Sequence, residues 1–330
     1  MMKKIPVLID VDTGIDDAMA LVIACASDKL DILGVTTVAG NVALCHTTPN
    51  TCNVLHLLGR GDIPVARGEE KPLERELVDA AYVHGDDGLR GWTFDQLHDE
   101  ALVAAPAWEF LRDKLLQSEE KAAILALGPV TNIALLLRRC PEIKEKIDKI
   151  VFMGTSYRTG NPTPITTFNV LVDPEGFREL LFSGIPIYAC PLDTTREAYL
   201  LAEEVEEIAR IDNPAARMTT AILGGYGRNA KSEGQSESAQ QELKAGRRFK
   251  GVARLHDPAT VAYLTDPQLF TATKYYCDVE CKGEITTGFT VIDMENYYGK
   301  SEEERNLWFV DSVDREGFVQ LFLDSLRSYS

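Results

Sequence analysis

Basic side chains are few in this chain of 330 residues. The sequence carries 34 Lys and Arg against 51 Asp and Glu, so its net charge is −17 at neutral pH. Such a charge repels phosphate backbones and anionic lipid surfaces. We therefore expect neither a nucleic-acid polymer nor a membrane as a partner, while a small uncharged molecule is not excluded.

Long apolar runs and cysteine frameworks are also missing. No stretch reaches the roughly 20 residues of a transmembrane helix. The apolar run after the N-terminal lysines is broken by Asp10 before it could form the core of a signal peptide. The seven Cys include no Cys-x-x-Cys pair, and an odd number without framework spacing is typical of reduced thiols. These absences predict a soluble, cytoplasmic protein.

The sequence does contain a regular alternation of apolar runs and helical patterns. Strands are predicted at residues 5–9, 32–38, 122–127, 149–153 and 185–189, and helices at 17–27, 48–59, 106–117, 132–139 and 174–183. Near-continuous apolar strands separated by helices indicate a mostly parallel, mixed central sheet covered on both faces. We predict one α/β domain of Rossmann-like architecture over residues 1–330.

Polar or glycine-containing signals follow four of the predicted strands, at residues 10–12, 38–41, 127–129 and 153–155. Because ligands of parallel sheets bind beyond the carboxyl ends of the strands, these signals predict a site at that edge. Two long loops, at 78–91 and 224–251, are predicted to be mobile and to act near the site, as lids often do.

The densest of these signals is Asp-Val-Asp-Thr-Gly-Ile-Asp-Asp at residues 10–17, with four carboxylates in eight positions. Their repulsion must be offset by a divalent cation, a helix N-terminus or protonation of one member. Oxygen-only ligands favour a hard ion, Ca²⁺ or Mg²⁺. Asp12 at the strand end and Asp17 at the helix start could share it, although an acidic turn that only caps the helix would contain the same residues.

Other candidate residues lie far from this cluster in the chain. His-Asp-Pro at 256–258 opens a later helix, where Asp257 could give the cation a third carboxylate or simply cap the helix. Asn41, Asn161 and Asn169 follow strand-like runs. Amides suit hydroxyl groups because they donate and accept without adding charge, and each of these could equally be a turn residue.

Together these motifs resemble the inosine–uridine-preferring nucleoside hydrolase family. Residues 10–18 match the family's opening D-x-D-x-G-x-D-D-A signature. Further matches are Thr-Thr-Val-Ala-Gly-Asn-Val at 36–42, Val-His-Gly at 83–85, Leu-Gly-Pro-Val-Thr-Asn at 127–132, Val-Phe-Met-Gly at 151–154, Thr-Gly-Asn at 159–161, Phe-Asn at 168–169, Asp-Pro-Glu at 173–175, His-Asp-Pro at 256–258 and Val-Asp-Arg-Glu-Gly-Phe at 313–318. The resemblance spans nearly the whole chain, and the Asp cluster together with the distant His-Asp-Pro makes it specific.

The resemblance implies a Ca²⁺-dependent enzyme that hydrolyses the N-glycosidic bond of ribonucleosides to ribose and free base, in salvage or catabolism. It also implies a homodimer or homotetramer. The implied cation ligands are the carboxylates of Asp12, Asp17 and Asp257 and the backbone carbonyl of Leu127. The ribose diol and one water would complete the coordination that Ca²⁺ prefers.

Further roles follow from the resemblance. Asp16 would accept the proton of that water, and groups around the sugar would stabilise an oxocarbenium-like cation. His256 would protonate the leaving base, and His84 would lie near the base pocket. The implied ribose-binding group is Asp10, Asn41, Met153, Asn161, Thr167 and Asn169.

The sequence departs from the family pattern at three threonines. Thr167 stands where many members carry a Glu that helps bind the ribose 5′-hydroxyl. Since Thr brings no charge, 5′-hydroxyl recognition, full catalytic power and the choice of sugar stay open. Thr13 stands where Pro is frequent and Thr155 where Gly is frequent, and both differences are expected to be minor. The preference between purine and pyrimidine bases also stays open.

Two other functions remain as alternatives. Asp-x-Asp at 10–12 also begins the nucleophile motif of haloacid-dehalogenase-type phosphatases, in which Asp10 would be phosphorylated, but no clear later acidic pair accompanies it. A non-catalytic Ca²⁺-dependent nucleoside- or ribose-binding protein is supported by Thr167 alone, and an intact Asp16 argues against it.

Overall fold

A computed structural model describes residues 3–232 and 251–330. Most of the predicted loop at 224–251 lies outside these ranges, and its described beginning, 224–232, is the end of a helix. The predicted loop at 78–91 contains one helical turn followed by tight turns.

The strands in the described residues are β1 (Ile5–Val11), β2 (Leu30–Thr37), β3 (Val65–Arg67), β4 (Leu102–Val103), β5 (Ala122–Ala126), β6 (Ile147–Met153), β7 (Ile187–Cys190), β8 (Tyr199–Leu200), β9 (Ala253–Arg254), β10 (Phe270–Val279), β11 (Thr290–Asp293) and β12 (Leu307–Val313). Ten of them form one sheet, in the order β11-β10-β12-β7-β6-β5-β1-β2-β3-β4. Only β10 runs against its neighbours in this sheet as described. Strands β8 and β9 pair separately as a small antiparallel ribbon.

Helices connect the parallel strands and cover the sheet. They are α1 (Ile15–Ala26), α2 (Leu44–Leu57), α3 (Ala81–His84), α4 (Ala107–Gln117), α5 (Thr131–Arg139), α6 (Phe168–Val172), α7 (Pro174–Leu181), α8 (Leu192–Thr195), α9 (Ala202–Ala209), α10 (Pro214–Ser232), α11 (His256–Thr265) and α12 (Arg315–Arg327). Short 3₁₀ helices occupy Pro141–Lys146 and Pro267–Leu269. Within the described ranges, no helix combines the length and the apolar character needed to cross a bilayer.

Side chains of the central strands alternate between two cores, one on each face of the sheet. In β1, Val7, Ile9 and Val11 pack with the helices of one face, whereas Leu8 joins the other core. This alternation follows from the period of two along a strand. Helices α1, α11 and α12 cover the first face, and α4, α5 and α7 cover the second. The predicted mostly parallel α/β sheet, covered on both faces, is confirmed.

Parallel pairing brings polar strand ends together. Asp10 in β1 is in register with Thr36 in β2 on one side and with Ala126 in β5 on the other. The chain therefore leaves β1, β2 and β5 at the same edge of the sheet, where α1 also begins. This edge is where a ligand site is expected in an open parallel sheet.

Candidate active site

A pocket lies at this carboxyl edge of the sheet. Its lining consists of Asp16, Asn41, His84, Leu127, Met153, Asn161, Thr167, Phe168, Asn169, Leu192, His256 and Asp257. Two of these residues, Asp16 at the start of α1 and Asp257 at the start of α11, are 241 positions apart in the chain. Folding therefore assembles the pocket from distant segments. Every predicted site residue lines the pocket except Asp10, Asp12 and Asp17, which are fully buried next to it.

Asp12 and Asp17 are held by backbone N–H groups and by Asn41. The Asn41 backbone N–H donates to Asp12 Oδ2 at 2.7 Å, and the Gly14 N–H donates to Asp17 Oδ2 at 3.0 Å. The Asn41 amide also donates to Asp17 Oδ2, at 3.0 Å. A Cβ on Gly128 would lie 2.6 Å from Asp12 Oδ1, so this carboxylate fits only because glycine is there. The two side chains are therefore fixed in place before any ligand binds.

Asp16 and Asp257 complete a cluster of four buried carboxyl groups. Burial and the neighbouring charge of Asp17 raise the pKa of Asp16 to about 7, although the His256 backbone N–H donates to Asp16 and opposes the rise. Burial, with the charges of Asp17, Asp16 and Asp12, raises the pKa of Asp257 well above its usual range. Burial likewise raises the pKa of Asp12 and of Asp17. Ionised together, the four groups would repel one another strongly.

The cluster fits a hard divalent cation. No Lys or Arg is among the residues that line the described pocket, and Asp16 Oδ1 is buried without a hydrogen-bond partner. A buried acid with a structural role looks different. Asp173 accepts hydrogen bonds from Thr131, Gly176 and Leu73. Unlike Asp173, Asp16 keeps one buried oxygen without a partner, and it lies among three other carboxyl groups. Oxygen ligands of this kind are those that Ca²⁺ and Mg²⁺ prefer.

Asp10 is buried behind the pocket rather than exposed in it. Its Oδ1 accepts hydrogen bonds from the Thr36 hydroxyl and, at 2.8 Å, from the Asn132 amide. Its Oδ2 is buried without a partner among the described residues. Burial is the main reason that the pKa of Asp10 rises to about 7. Thr36 and Asn132 lay in motifs that resemble the family, but the sequence did not reveal that both bind Asp10.

The three predicted amides present different atoms to the pocket. Asn169 donates through Nδ2 to the carbonyls of Leu127 at 2.6 Å and Met153 at 2.9 Å, which leaves its Oδ1 as an acceptor. Asn41 also uses its Nδ2 on the protein, so its Oδ1 is the atom left for a ligand. Asn161, at the mouth, accepts the Phe168 N–H through Oδ1 at 2.9 Å and keeps its Nδ2 as a donor. The pocket can thus bind several hydroxyl groups with defined polarity.

Both histidines in the pocket are neutral. The Ile15 N–H donates to Nδ1 of His84 at 3.2 Å, so the neutral ring carries its proton on Nε2. Nδ1 of His256 shares a hydrogen bond of 2.7 Å with the Thr195 hydroxyl. Burial, with nearby Arg side chains, lowers the pKa of each histidine to about 3. Each ring can therefore act as a neutral hydrogen-bonding group at physiological pH.

An irregular segment, residues 154–167, forms one side of the pocket. Thr155 has φ 75°, in the left-handed region that β-branched residues avoid. Its N–H donates to Thr167 Oγ1 at 3.1 Å, and its carbonyl accepts the Leu192 N–H at 3.1 Å. Arg196 donates to the carbonyls of Thr159 and Gly160. Side-chain bonds to the backbone therefore determine the shape of this wall.

Two apolar lining residues were not predicted. Phe168 adjoins the predicted Asn169, so its motif pointed to the right place without giving it a role. Leu192 opens the short helix α8 after β7 and had no signal in the sequence. Phe168 follows Thr167 directly, and the Leu192 N–H donates to the Thr155 carbonyl, so both residues adjoin the 154–167 segment.

Comparison with protein families agrees with this geometry. A family model described as inosine-uridine preferring nucleoside hydrolase matches residues 7–320. The pyrimidine-specific ribonucleoside hydrolase RihA of Shewanella woodyi is 40% identical over 327 residues, which are 98% of this chain and 99% of that protein. The protein of the same name from Photobacterium profundum is 40% identical over 326 residues, covering 98% of this chain and 99% of its own.

Solved structures of nucleoside hydrolases are also similar to this chain. A plant nucleoside hydrolase, PpNRh1, superposes with a TM-score of 0.86 at 29% identity and covers 98% of this chain and 99% of its own. A purine-preferring ribonucleoside hydrolase from Gardnerella vaginalis superposes with a TM-score of 0.85 at 26% identity, over 98% of each chain.

Proposed function

This chain belongs to the inosine-uridine preferring nucleoside hydrolase family, and from that premise we propose that it hydrolyses the N-glycosidic bond of pyrimidine ribonucleosides. The observation that carries the proposal is a pocket in the described residues where buried carboxylates and hydroxyl-binding amides converge from distant parts of the chain. The choice of pyrimidines is supported by relatives that are 40% identical and named pyrimidine-specific. The purine-preferring structural neighbour is only 26% identical.

We assign Ca²⁺ to the carboxylates of Asp12, Asp17 and Asp257 and to the backbone carbonyl of Leu127. When bound there, the ion would supply charge that binds a vicinal diol and makes a water more acidic. The Leu127 carbonyl accepts one hydrogen bond, from Asn169, and a carbonyl oxygen has a second lone pair. Asn41 bonds to both Asp12 and Asp17 and so orients the two carboxylates.

Asp16 is the proposed general base. Its carboxyl lines the pocket, is oriented by the His256 N–H, and has one oxygen without a partner among the described residues. That oxygen can accept the proton of an attacking water. The Oδ1 atoms of Asn41 and Asn169 would face the developing positive charge on the sugar and stabilise it.

His256 and His84 are proposed to act on the departing base. Because both rings are neutral at physiological pH, each would act as a hydrogen-bond donor through its N–H and not as a positively charged imidazolium acid. His84 is suited to this role, since its Nδ1 is occupied by Ile15 and its proton is on Nε2. A carbonyl oxygen of the leaving pyrimidine is the natural acceptor.

A reducing-sugar assay tests the reaction. We expect uridine and cytidine to release ribose faster than inosine and adenosine, 2′-deoxyuridine to be inert, and a chelator to abolish turnover until Ca²⁺ is restored. Nucleoside binding in calorimetry without release of free base would instead support the binding-protein alternative. Hydrolysis of p-nitrophenyl phosphate in place of nucleosides would support the phosphatase alternative, although no Lys lines the described pocket.

The organisation of the protein is part of the same proposal. We propose one nucleoside hydrolase domain over residues 1–330, assembled as a homodimer or homotetramer and working in nucleoside salvage or catabolism in the cytoplasm. Light scattering of the purified chain tests the assembly, because a mass of one chain would contradict it.

A further inference from the structure

A second group of ligand-type side chains lies outside the active site. His56 is in the last turn of α2, and His98 and Glu100 belong to the segment that precedes β4. One ligand atom from each lies within 4.8 Å of the other two. None of the three lines the acidic pocket. His56 and His98 instead line a separate cleft whose floor includes Asn53 and Pro214.

The two imidazole rings are stacked, with centroids 3.5 Å apart and planes 8° apart. Two protonated rings at that separation would repel each other, whereas two neutral rings offer lone pairs to one shared ion. His56 is exposed, so its side chain has room to change rotamer. The His56 ring must tilt out of the stack before lone pairs of both rings can point at one ion.

Hydrogen bonds to Asn53 and Gln96 fix the position of His98 as a candidate metal ligand. Asn53, three residues before His56 on α2, accepts the His98 backbone N–H at 2.8 Å and so ties the segment to the helix. The Gln96 amide lies 2.9 Å from His98 Nε2. The near atom of that amide is its nitrogen Nε2, and His98 Nδ1 lies 3.8 Å from Glu100 Oε1. A flip of the Gln96 amide would let its oxygen accept the His98 Nε2–H and would leave the Nδ1 lone pair for an ion on the side of Glu100. Metal-binding histidines usually have such a partner on their other nitrogen.

The local charge attracts a cation. Residues 95–100 contain three acids, Asp95, Asp99 and Glu100, and no Lys or Arg. Two imidazoles with one carboxylate form a donor set that suits Zn²⁺ and related transition metals better than Ca²⁺ or Mg²⁺. We propose that His56, His98 and Glu100 bind one transition-metal dication of the Zn²⁺ type. The bound ion would fasten the segment before β4 to α2, and it takes no part in nucleoside hydrolysis.

Co²⁺ serves as a spectroscopic probe for this site. The full-length protein is titrated with Co²⁺ in excess Ca²⁺, so that the acidic cluster is already filled, and the visible absorption of the protein-bound ion is recorded. The variants are His56→Ala and His98→Ala, and the matched control is His46→Ala, which changes an exposed histidine at the other end of α2. Circular dichroism checks that each variant is folded.

We expect one Co²⁺ per chain in the wild type and in His46→Ala, displaced by Zn²⁺, and affinity about 100-fold weaker in the other two variants. Zn²⁺ should raise the melting temperature of the wild type and the control only, because an ion that binds the folded state stabilises it by mass action. Equal Co²⁺ binding by His56→Ala, His98→Ala and the wild type, or no binding by any of them, would overturn the proposal. Nucleoside hydrolysis in Ca²⁺ is measured in parallel and should be unchanged in all variants, so failure of the metal site and failure of the proposed activity are distinguishable.

Discussion

The two ends of the pocket are built in different ways. The acidic end is lined by Asp16 and Asp257, with Asp12 and Asp17 buried behind them. These four residues extend from the end of β1 and the first turns of α1 and α11. The neutral end consists of Asn161, Thr167, Phe168 and Leu192, which lie in or beside the irregular 154–167 segment. The pocket therefore has one charged, rigid side and one uncharged side that loop interactions shape.

Each end suits a different part of the proposed reaction. Regular elements hold reacting groups more accurately than loops do, and helix N-termini favour the negative charge placed at them. Loops can change their side chains without disturbing the sheet. We infer that the acidic end determines whether hydrolysis occurs and the neutral end determines how well a given sugar binds. The predictions that follow test this division.

Asp257→Ala should have the largest effect, because it removes a proposed cation ligand from a buried cluster. We expect no measurable release of ribose and loss of stoichiometric Ca²⁺ by elemental analysis. Asp173→Asn is the control, since it alters a buried acid that bonds to protein donors. It should lower the free energy of unfolding by about 1–3 kcal/mol and still bind Ca²⁺. Normal calcium content in Asp257→Ala would refute the ligand assignment.

Asp16→Asn should have the second-largest effect on the release of ribose. The amide preserves the shape of the side chain but cannot accept a proton from water, so kcat should fall about 10²–10⁴-fold. Binding of uridine, measured by calorimetry in Ca²⁺, should stay within a few-fold of the wild type. If the variant turns over at the wild-type rate, another group must serve as the base and the acidic end loses its proposed catalytic role.

The two ends of the pocket also differ in how well the sequence predicted their residues. Asp12, Asp16 and Asp17 lie within one strand–turn–helix unit, so local pattern and charge sufficed to find them. Asp257 needed its resemblance to a family motif. At the neutral end Leu192 was missed, because its place in the pocket depends on how α8 packs after β7. The hydrogen bond between Thr155 and Thr167 is a tertiary contact that neither residue's local sequence indicates.

The segment after His84 contacts α10 through Arg90, whose N–H donates to the His84 carbonyl, and a pair of glycines tests whether this contact positions His84. The segment after His84 packs its backbone on the helix, so that a Cβ on Gly225 would lie 2.7 Å from the Arg90 carbonyl oxygen. Gly225→Ala should therefore displace His84 and lower kcat/KM about tenfold. Gly224→Ala adds the same methyl group where no atom of the described residues outside the neighbouring helix backbone lies within 4 Å of it, and it should leave kcat/KM unchanged. Equal activity in both variants would show that α10 does not position His84.

Thr167 tests the neutral end directly. Thr167→Val has nearly the same shape but removes the acceptor of the Thr155 N–H, whose loss costs about 1–3 kcal/mol when the donor is buried. We expect KM for uridine to rise up to about tenfold with kcat nearly unchanged. Thr167→Ser keeps the hydroxyl and should behave as the wild type. A fall in kcat without a change in KM would place Thr167 with the catalytic groups and break the proposed division.

Thr155→Gly should change activity least, although Thr155 has the most strained backbone in the described pocket wall. A β-branched residue at φ 75° costs of the order of 1–3 kcal/mol, and its buried Oγ1 has no partner among the described residues. Glycine would remove both costs. It would also make the unfolded chain more flexible, which lowers the free energy of unfolding by about 0.4–1 kcal/mol. Urea unfolding should therefore show a net gain of about 1 kcal/mol, with kcat/KM within about twofold of the wild type. A large loss of activity in a more stable variant would mean that the strain itself holds the neutral end in its working shape.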